Sequence, residues 1–335
     1  MIEKTTTRPP MPRVTLGRTG LETSRLSIGT WGFGTGSAPA AQQNDDQVLI
    51  DVLTAAFEAG VTFIDSAEAY DNEQRLGRLL SQVETPSDLI ISTKFGHGRG
   101  FSADDFRRSA ERSLAQLHLE QIPIMMVHDP RDDDDMDTIL GPGGALEGLR
   151  KLQDEGLVAH IGVATATLSP LQRAVDTGEF DFLQIARLYT LLNPAAKTSG
   201  LLAAAREKGM AVCNASPFGG NILATGTANP HALYTYRPAL PEVREAVQRM
   251  EARCEELGIT IAEAAMSYSL TQPDIDVTIV GVTSTRELGW DLDALKVTTT
   301  RDEIESIARA GEIDPALLGG PTFRTAWPAD RVPEN

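Results

Sequence analysis

Short apolar runs and amphipathic helical patterns alternate along most of the chain. Eight of the runs have the length and the β-branched content of buried strands. These predicted strands span residues 26–31, 61–65, 89–94, 122–128, 158–164, 181–185, 211–215 and 276–281. Because apolar residues recur at helical spacing between them, the pattern predicts a (β/α)8 barrel, the TIM-barrel fold, over residues 13–318.

The two ends of the chain differ from this alternation. Residues 13–26 alternate around Gly17-Arg18-Thr19-Gly20 and predict an N-terminal β-hairpin. Residues 1–12 are expected to form a flexible leader, and residues 319–335 a C-terminal tail. An open doubly wound sheet is the alternative fold, but such sheets usually carry a Gly-x-Gly-x-x-Gly turn after the first strand. The glycines after residue 31 lack that spacing, which favours the barrel.

Capping residues and glycines mark the expected helix boundaries. Asn44 is a candidate N-cap for a helix over residues 44–59, Ser102 begins another, and Ser169 before Pro170 begins a third. One further helix is expected over residues 197–208. Residues 129–137 include four consecutive aspartates and are expected to form a solvated loop. Residues 216–241 are rich in Gly and Pro and are expected to form a long functional loop.

Charge and composition exclude several classes of partner. The chain of 335 residues has 47 acidic and 30 basic side chains and a formal net charge of −17. This balance disfavours nucleic acids and anionic membranes as partners and leaves a small-molecule substrate as the expectation. Two cysteines and the lack of an 18-residue apolar segment indicate a cytoplasmic protein without a disulfide framework. The oligomeric state stays open.

Three predicted strands end on ionisable residues, namely Asp65, Lys94 and His128, and Tyr70 follows the first of them by five positions. Since the carboxyl ends of barrel strands share one face, we expect these four side chains to converge. Taken singly, the aspartate could cap a turn, the lysine could reach solvent and the histidine could pack in the core. Together they favour a functional site.

The expected chemistry is proton transfer at an oxygen. A tyrosine phenol has a reference pKa of about 10, and a nearby lysine ammonium is expected to lower that pKa. A carboxylate would fix the lysine, and a neutral histidine would orient the substrate oxygen. A hydride carrier would complete an alcohol–carbonyl interconversion. A metal-assisted hydrolase is the alternative, but the strand ends offer few His/Asp pairs, so no metal is expected.

The order Asp-x4-Tyr, then Ser-Thr-Lys-Phe-Gly, then Val-His-Asp resembles the aldo-keto reductase superfamily, and the likeness extends from Leu16 to the last strand. The resemblance implies a barrel that binds NAD or NADP without a Rossmann fold. It implies that Tyr70 is the general acid/base, that Lys94 and Asp65 tune it, and that His128 orients the carbonyl or hydroxyl group.

The same resemblance implies a set of cofactor-binding residues. These are Thr30, Asp65, Thr165, Gln184, Ser216, Phe218, Gly220, Gly281, Thr283, Ser284, Glu287 and Asp291. Thr165 replaces the usual asparagine, and Ala215 stands where many members have a stacking tyrosine. Thr283 replaces a frequent basic residue, and Glu287 would repel a 2′-phosphate, which favours NAD over NADP.

Local stretches narrow the resemblance to one subgroup. Residues 187–192, 214–218 and 229–236 are similar to aldose 1-dehydrogenases and pyridoxal 4-dehydrogenases, which oxidise cyclic hemiacetals. The implied substrate pocket contains Trp31, Tyr70, His128, Tyr189 and Phe218. An NADPH-dependent aldehyde, ketone or pyridoxal reductase is the alternative function. A cofactor-binding protein with little turnover is another, since residues 164, 165 and 215 depart from the family pattern.

Overall fold

Eight parallel strands close into a barrel in the computed structural model, which describes residues 10–34 and 45–318. The barrel strands are β3 Leu26–Gly29, β4 Phe63–Asp65, β5 Ile90–Gly96, β6 Ile122–His128, β7 Val158–Thr165, β8 Phe182–Ala186, β9 Ala211–Ala215 and β12 Val277–Gly281. Each strand pairs with the next in the chain, and β12 closes the barrel between β9 and β3. The predicted (β/α)8 fold is therefore confirmed.

Two short antiparallel pairs lie outside the barrel. The first is the predicted N-terminal hairpin, formed by β1 Arg13–Thr15 and β2 Glu22–Ser24. The second joins β10 Leu233–Tyr234 to β11 Arg237–Pro238 within the segment that follows β9.

Helices surround the barrel and cover its outer face. They are α1 Asp46–Glu58, α2 Glu73–Leu80, α3 Ala103–Leu117, α4 Asp133–Leu140, α5 Ala145–Asp154, α6 Leu168–Thr177, α7 Ala195–Thr198, α8 Leu201–Glu207, α9 Ile222–Thr225, α10 Pro241–Leu257, α11 Ile261–Leu270, α12 Thr285–Asp293 and α13 Arg301–Ala310. Across the described ranges, no helix combines the length and the apolar character that a bilayer crossing requires. Two large apolar clusters fill the space between strands and helices.

The N-terminal hairpin closes one end of the barrel. Leu16 is fully buried in the barrel interior with Phe63 and Phe182. Gly17 has a φ of +46°, and any side chain there would collide with the backbone at Gly209, just before β9 begins. Because the hairpin blocks the end where the strands begin, a ligand must approach from the end where they finish.

The acidic run at residues 129–137 was expected to be a solvated loop, and this prediction was wrong. Helix α4 begins inside the run. The Asp132 carboxylate accepts a hydrogen bond from the backbone N–H of Asp135 at 3.0 Å and so caps the helix. Carboxylates in a first helical turn are stabilised by the unpaired N–H groups there. The four aspartates therefore supply a helix start.

Three other boundary predictions were also wrong. Ser169 lies inside α6, and its hydroxyl donates to Asp133 rather than capping the helix. The helix expected over 197–208 is split into α7 and α8 at Gly200, which has a φ of +81°. The segment 216–241 contains α9, β10 and β11. The predicted cap Ser102 is confirmed, whereas Asn44, residues 1–9 and residues 319–335 lie outside the described residues.

Candidate active site

A buried ion pair stands at the carboxyl ends of β4 and β5. Lys94 Nζ lies 2.8 Å from Asp65 Oδ2, and it also donates to the carbonyl oxygen of Ser66. The hydroxyl of Ser92 donates to the other Asp65 oxygen at 2.7 Å. The two charged side chains are only 1% and 4% exposed, so each charge depends on the other and on these hydrogen bonds.

Tyr70 and His128 complete the group of four that the sequence predicted to converge. Tyr70 lies in a short 3-10 turn after β4, and its hydroxyl oxygen is 3.5 Å from Lys94 Nζ. The imidazole of His128, the last residue of β6, packs edge-on against the tyrosine ring with 5.8 Å between ring centres. Three strand ends therefore bring an acid/base candidate, a cation and an imidazole together.

Asn72 holds the turn that carries Tyr70, and the sequence did not single it out. Its amide donates to the backbone oxygen and the hydroxyl of Thr30, while it accepts a hydrogen bond from Ser66. The Thr30 hydroxyl in turn donates to the Asp65 carbonyl at 3.0 Å. Thr30, predicted as a cofactor ligand, thus also bonds to the protein backbone. An asparagine two positions after Tyr70 was the sequence feature that could have indicated this role.

The pKa of Tyr70 is raised well above its ordinary value, chiefly by burial and then by the charge of Asp65. The expected lowering by Lys94 is therefore wrong. The reason is that the lysine charge is balanced by Asp65 at 2.8 Å, so the pair presents little net positive charge to the phenol. Tyr70 holds its proton at neutral pH.

His128 is neutral. Burial lowers the pKa of His128 to about 3, and the positive charge of Lys94 contributes in the same direction. Its Nδ1 atom has no hydrogen-bond partner among the described residues. A neutral imidazole can donate one hydrogen bond to a substrate oxygen without adding a charge.

The structure also places His97 and Asp129 beside His128, a cluster that the sequence analysis missed. His97 Nδ1 lies 2.8 Å from Asp129 Oδ2, and the rings of His97 and His128 are 5.2 Å apart. Asp129 raises the pKa of His97 through this hydrogen bond. The expectation of few His/Asp pairs considered only the residues that end the strands. His97 directly follows the motif Ser-Thr-Lys-Phe-Gly, and Asp129 is the last residue of the motif Val-His-Asp.

Gln184 and Thr165 lie on the adjoining strands β8 and β7. The Gln184 amide nitrogen is 3.3 Å from Asp65 Oδ2, and its buried Oε1 has no partner among the described residues. That acceptor suits a carboxamide N–H₂ group such as that of nicotinamide. The Thr165 hydroxyl donates to the Pro130 carbonyl, so it offers a ligand only its acceptor capacity.

The loop after β9 begins with a tight turn. Ser216 and Gly219 have positive φ angles, +57° and +65°, and the Gly219 N–H donates to the Ser216 carbonyl. A Cβ atom at Gly220 would stand 2.7 Å from the Leu233 carbonyl oxygen, so only glycine fits there. Phe218 is half-buried and packs against the core.

The segment after β12 carries a second part of the implied cofactor site. Ser284 caps α12, and the Glu287 carboxylate accepts hydrogen bonds from the backbone N–H and the hydroxyl of Thr283 at 2.7 and 2.9 Å. Asp291 is buried, and burial followed by the charge of Glu287 raises its pKa to about 8. Gly281, at the end of β12, is exposed and has open space around it.

The predicted pocket wall is partly wrong. Tyr189 is fully buried, stacks on Tyr268 at 4.5 Å between ring centres and accepts hydrogen bonds from Gln272 and Arg301, so it belongs to the core. Trp31 does lie beside an exposed ring, that of Tyr236, at 5.8 Å. Tyr236 belongs to the segment 229–236 that resembles the aldose 1-dehydrogenases, but it was not predicted as a pocket residue, because its position depends on the β10–β11 turn.

Comparison with known proteins gives these features a context. The sequence model of the Aldo/keto reductase family matches residues 25–312. L-galactose dehydrogenase from Arabidopsis thaliana is 28% identical over 324 residues, which cover 94% of this chain and 96% of that protein. D-threo-aldose 1-dehydrogenase from a Pseudomonas species is 28% identical over 268 residues, covering 71% of this chain and 80% of the relative.

Solved structures agree with the fold. A Pseudomonas aeruginosa protein assigned to the aldo-keto reductases superposes with a TM-score of 0.65 at 24% sequence identity, covering 88% of this chain and 98% of that one. With the family match over most of the barrel, the chain belongs to the aldo/keto reductase family and is an NAD(P)-dependent oxidoreductase.

Proposed function

We propose that the protein is an aldose 1-dehydrogenase, which oxidises the cyclic hemiacetal of a sugar to a lactone with NAD. The observation that carries the proposal is the contact of Tyr70 with the Asp65–Lys94 pair, 3.5 Å from the lysine, together with the neutral His128 ring 5.8 Å from the tyrosine ring. The names of two relatives, L-galactose dehydrogenase and D-threo-aldose 1-dehydrogenase, support the substrate class.

Each of the four residues has a separate role in proton transfer. The substrate hydroxyl would lie between Tyr70 and His128. For oxidation Tyr70 first loses its own proton to solvent, and the phenolate oxygen then takes the proton of the substrate hydroxyl and becomes a phenol again. Lys94 stabilises the phenolate before that transfer, and Asp65 keeps the lysine in place. His128 donates a hydrogen bond to the same oxygen and fixes the carbon beside it. Bound NAD would supply the hydride acceptor, held by Gln184 and by the loops after β9 and β12.

The aromatic pair of Trp31 and Tyr236 supports a ring-shaped substrate. Tyr236 is 51% exposed and lies at the tip of the β10–β11 hairpin, where both it and Thr235 adopt positive φ angles. A β-branched residue in this conformation is strained, and such strain persists where the surrounding structure requires it. The hairpin thereby presents a flat aromatic surface, which suits the apolar face of a sugar ring.

Glu287 supports NAD as the preferred cofactor. Its carboxylate is fixed on Thr283, at the segment that resembles the adenosine-phosphate motif, where it would repel a 2′-phosphate. We expect Glu287→Gln to lower the KM for NADP while it changes the KM for NAD little. An unchanged ratio of the two kcat/KM values would contradict this role.

Substitution of Tyr70 by Phe tests the mechanism. Aldoses are offered with NAD, and reduced nicotinamide is followed by absorbance. We expect kcat to fall by roughly 10²–10⁴-fold, as for loss of a general acid/base, while the NADH affinity measured by fluorescence stays within about twofold. Tyr234→Phe is the control, because the buried hydroxyl of Tyr234 has no partner among the described residues. Equal turnover in Tyr70→Phe would refute the mechanism.

The reverse reaction, carbonyl reduction, is the second candidate. The observation that favours it is that Tyr70 and His128 are both neutral hydrogen-bond donors, the arrangement that a carbonyl oxygen needs. A relative named NADH-specific methylglyoxal reductase, from Escherichia coli, is 25% identical over 315 residues. A higher kcat/KM for aldehydes with NADH or NADPH than for any aldose with NAD would support this candidate over the first.

A further inference from the structure

Two histidines and an aspartate meet where β5 and β6 end, on the open face of the barrel. One potential ligand atom from each of His97, His128 and Asp129 lies within 4.8 Å of the other two. His97 and Asp129 are already in contact, with Nδ1 and Oδ2 separated by 2.8 Å. The set is therefore compact in the protein alone.

The barrel backbone fixes the positions of all three residues. The N–H of His97 donates to the carbonyl of His128, and the N–H of Asp129 donates to the carbonyl of Ala164, both at 2.7 Å. These bonds extend the parallel pairing of β5 with β6 and of β6 with β7. Only side-chain rotations are needed to bring the three ligand atoms closer together.

The side chains combine access from solvent with an unused donor atom. The side chains of His97 and Asp129 are 58% and 40% exposed, so an ion can reach them directly. His128 is 7% exposed, and its Nδ1 lone pair or N–H has no partner among the described residues. Metal–nitrogen bonds of about 2.0–2.1 Å require the three atoms to approach by roughly an ångström, which the two exposed side chains allow.

We infer that His97, His128 and Asp129 form a binding site for a first-row divalent transition metal such as Zn²⁺, and that a bound ion blocks His128. Two imidazoles and one carboxylate suit Zn²⁺, Co²⁺ or Ni²⁺, whereas Mg²⁺ and Ca²⁺ prefer oxygen ligands alone. Because Arg187 acts electrostatically on Asp129, the site binds more weakly than a four-ligand structural zinc site.

Occupation of this site has a direct consequence for turnover. An ion held by His128 would fill the space next to Tyr70 that the reacting oxygen needs, since the two rings are 5.8 Å apart. The ion is therefore an inhibitor that competes with the substrate. Its binding does not depend on what that substrate is, so it can be measured without assuming the proposed function.

The test is a Co²⁺ titration of the metal-free protein, followed by the visible absorption of the bound ion. His97→Asn and Asp129→Asn are the test variants, since asparagine tolerates the left-handed backbone at both positions. His118→Asn is the matched control, because His118 is also exposed and left-handed but follows α3, before β6 begins, whereas His128 lies at the other end of β6. We expect one Co²⁺ per chain, with affinity lowered about tenfold or more in both test variants and unchanged in the control.

Histidine NMR signals give a second measurement. The chain has only five histidines, so each imidazole signal can be assigned by substitution. Zn²⁺ should shift the signals of His97 and His128 alone, and Mg²⁺ or Ca²⁺ should shift neither. Equal Co²⁺ affinity in all variants, or Zn²⁺ shifts at His118 and His231 instead, would overturn the inference.

An activity measurement separates this inference from the proposed function. In the wild type, Zn²⁺ should raise the apparent KM of whichever substrate is turned over, and His97→Asn should require about tenfold more Zn²⁺ for the same effect. If no aldose is oxidised but Zn²⁺ still binds at His97 and His128, the proposed function is refuted and the metal site stands. Inhibition that does not respond to His97→Asn would refute the inhibitory role of the site.

Discussion

Asp65→Asn is the substitution that most directly tests how the active site is held together. Asparagine keeps the shape of the side chain and can still accept the hydrogen bond from Ser92. It removes the negative charge 2.8 Å from Lys94 Nζ, in a place where both side chains are almost fully buried. The Ser66 carbonyl and the Tyr70 hydroxyl then remain as the partners of an ammonium group whose charge is no longer balanced.

The expected cost follows from this burial. Removal of one partner from a buried ion pair typically costs about 3–5 kcal/mol, because the remaining charge is left without compensation. Thermal unfolding entropy is about 2.1 cal/mol/K per residue. For a chain of 335 residues, a loss of that size corresponds to a decrease in Tm of roughly 4–7 °C. An exposed ion pair would instead contribute about 0–1 kcal/mol.

A double-mutant cycle with Lys94→Met is the decisive assay. Each single variant leaves one charge buried alone, whereas Asp65→Asn with Lys94→Met leaves none. We therefore expect the double variant to be more stable than the sum of the two single effects predicts, with a coupling free energy of about 0.5–3 kcal/mol. Additive losses, or single losses of the size seen at a protein surface, would show that the pair is solvated and refute the argument.

Three shorter predictions follow from other contacts. Because the pKa of Tyr70 is raised, log kcat/KM for oxidation should rise by about one per pH unit from about pH 7 to 9, and a flat profile would exclude Tyr70 as the base. The pKa of Asp291 is about 8 in the folded protein and about 3.9 in the unfolded chain, so its contribution to stability is fully present below about pH 4 and is lost as pH rises through 8. Asp291→Asn should therefore have a higher Tm than the wild type at pH 8.5 and the same Tm near pH 4. Gly220→Ala should lower both Tm and NAD affinity, because Gly220 has a φ of +122° and the added Cβ would meet the Leu233 carbonyl. Gly178→Ala should lower Tm alone, because Gly178 also has a positive φ, +68°, but has open space around it.

Strand positions were predictable because the barrel strands are largely buried on both faces and therefore consist mostly of apolar residues. Residues 122–128 and 211–215 were assigned within their observed limits. Asp65 and His128 end β4 and β6 as predicted, whereas β5 continues two residues past Lys94 to Gly96. A closed parallel barrel aligns strand ends on one face whatever the intervening loops do. The convergence of Asp65, Lys94 and His128 therefore needed only the strand boundaries and the fold.

The remaining features depend on tertiary contacts that the sequence pattern does not encode. Tyr189 appeared suited to a pocket, but its hydroxyl is bound by Arg301, 112 positions further along the chain. Tyr236 reaches Trp31 only because two consecutive non-glycine residues adopt positive φ angles. The four aspartates were interpreted as a charge run, although an aspartate before an apolar helical pattern is also a common N-cap.

Residue types alone do not show whether the pKa of Tyr70 is raised or lowered. A lysine beside a tyrosine suggests a lowered pKa, yet Asp65 balances the lysine and burial raises the pKa instead. With His128 also neutral and Lys94 balanced by Asp65, these four side chains carry little net charge and can donate hydrogen bonds to an oxygen. Reduction can use Tyr70 as it stands, whereas oxidation must first remove its proton. The same four side chains thus serve both directions, and the pH dependence of the ratio of oxidation to reduction rates measures the protonation of Tyr70.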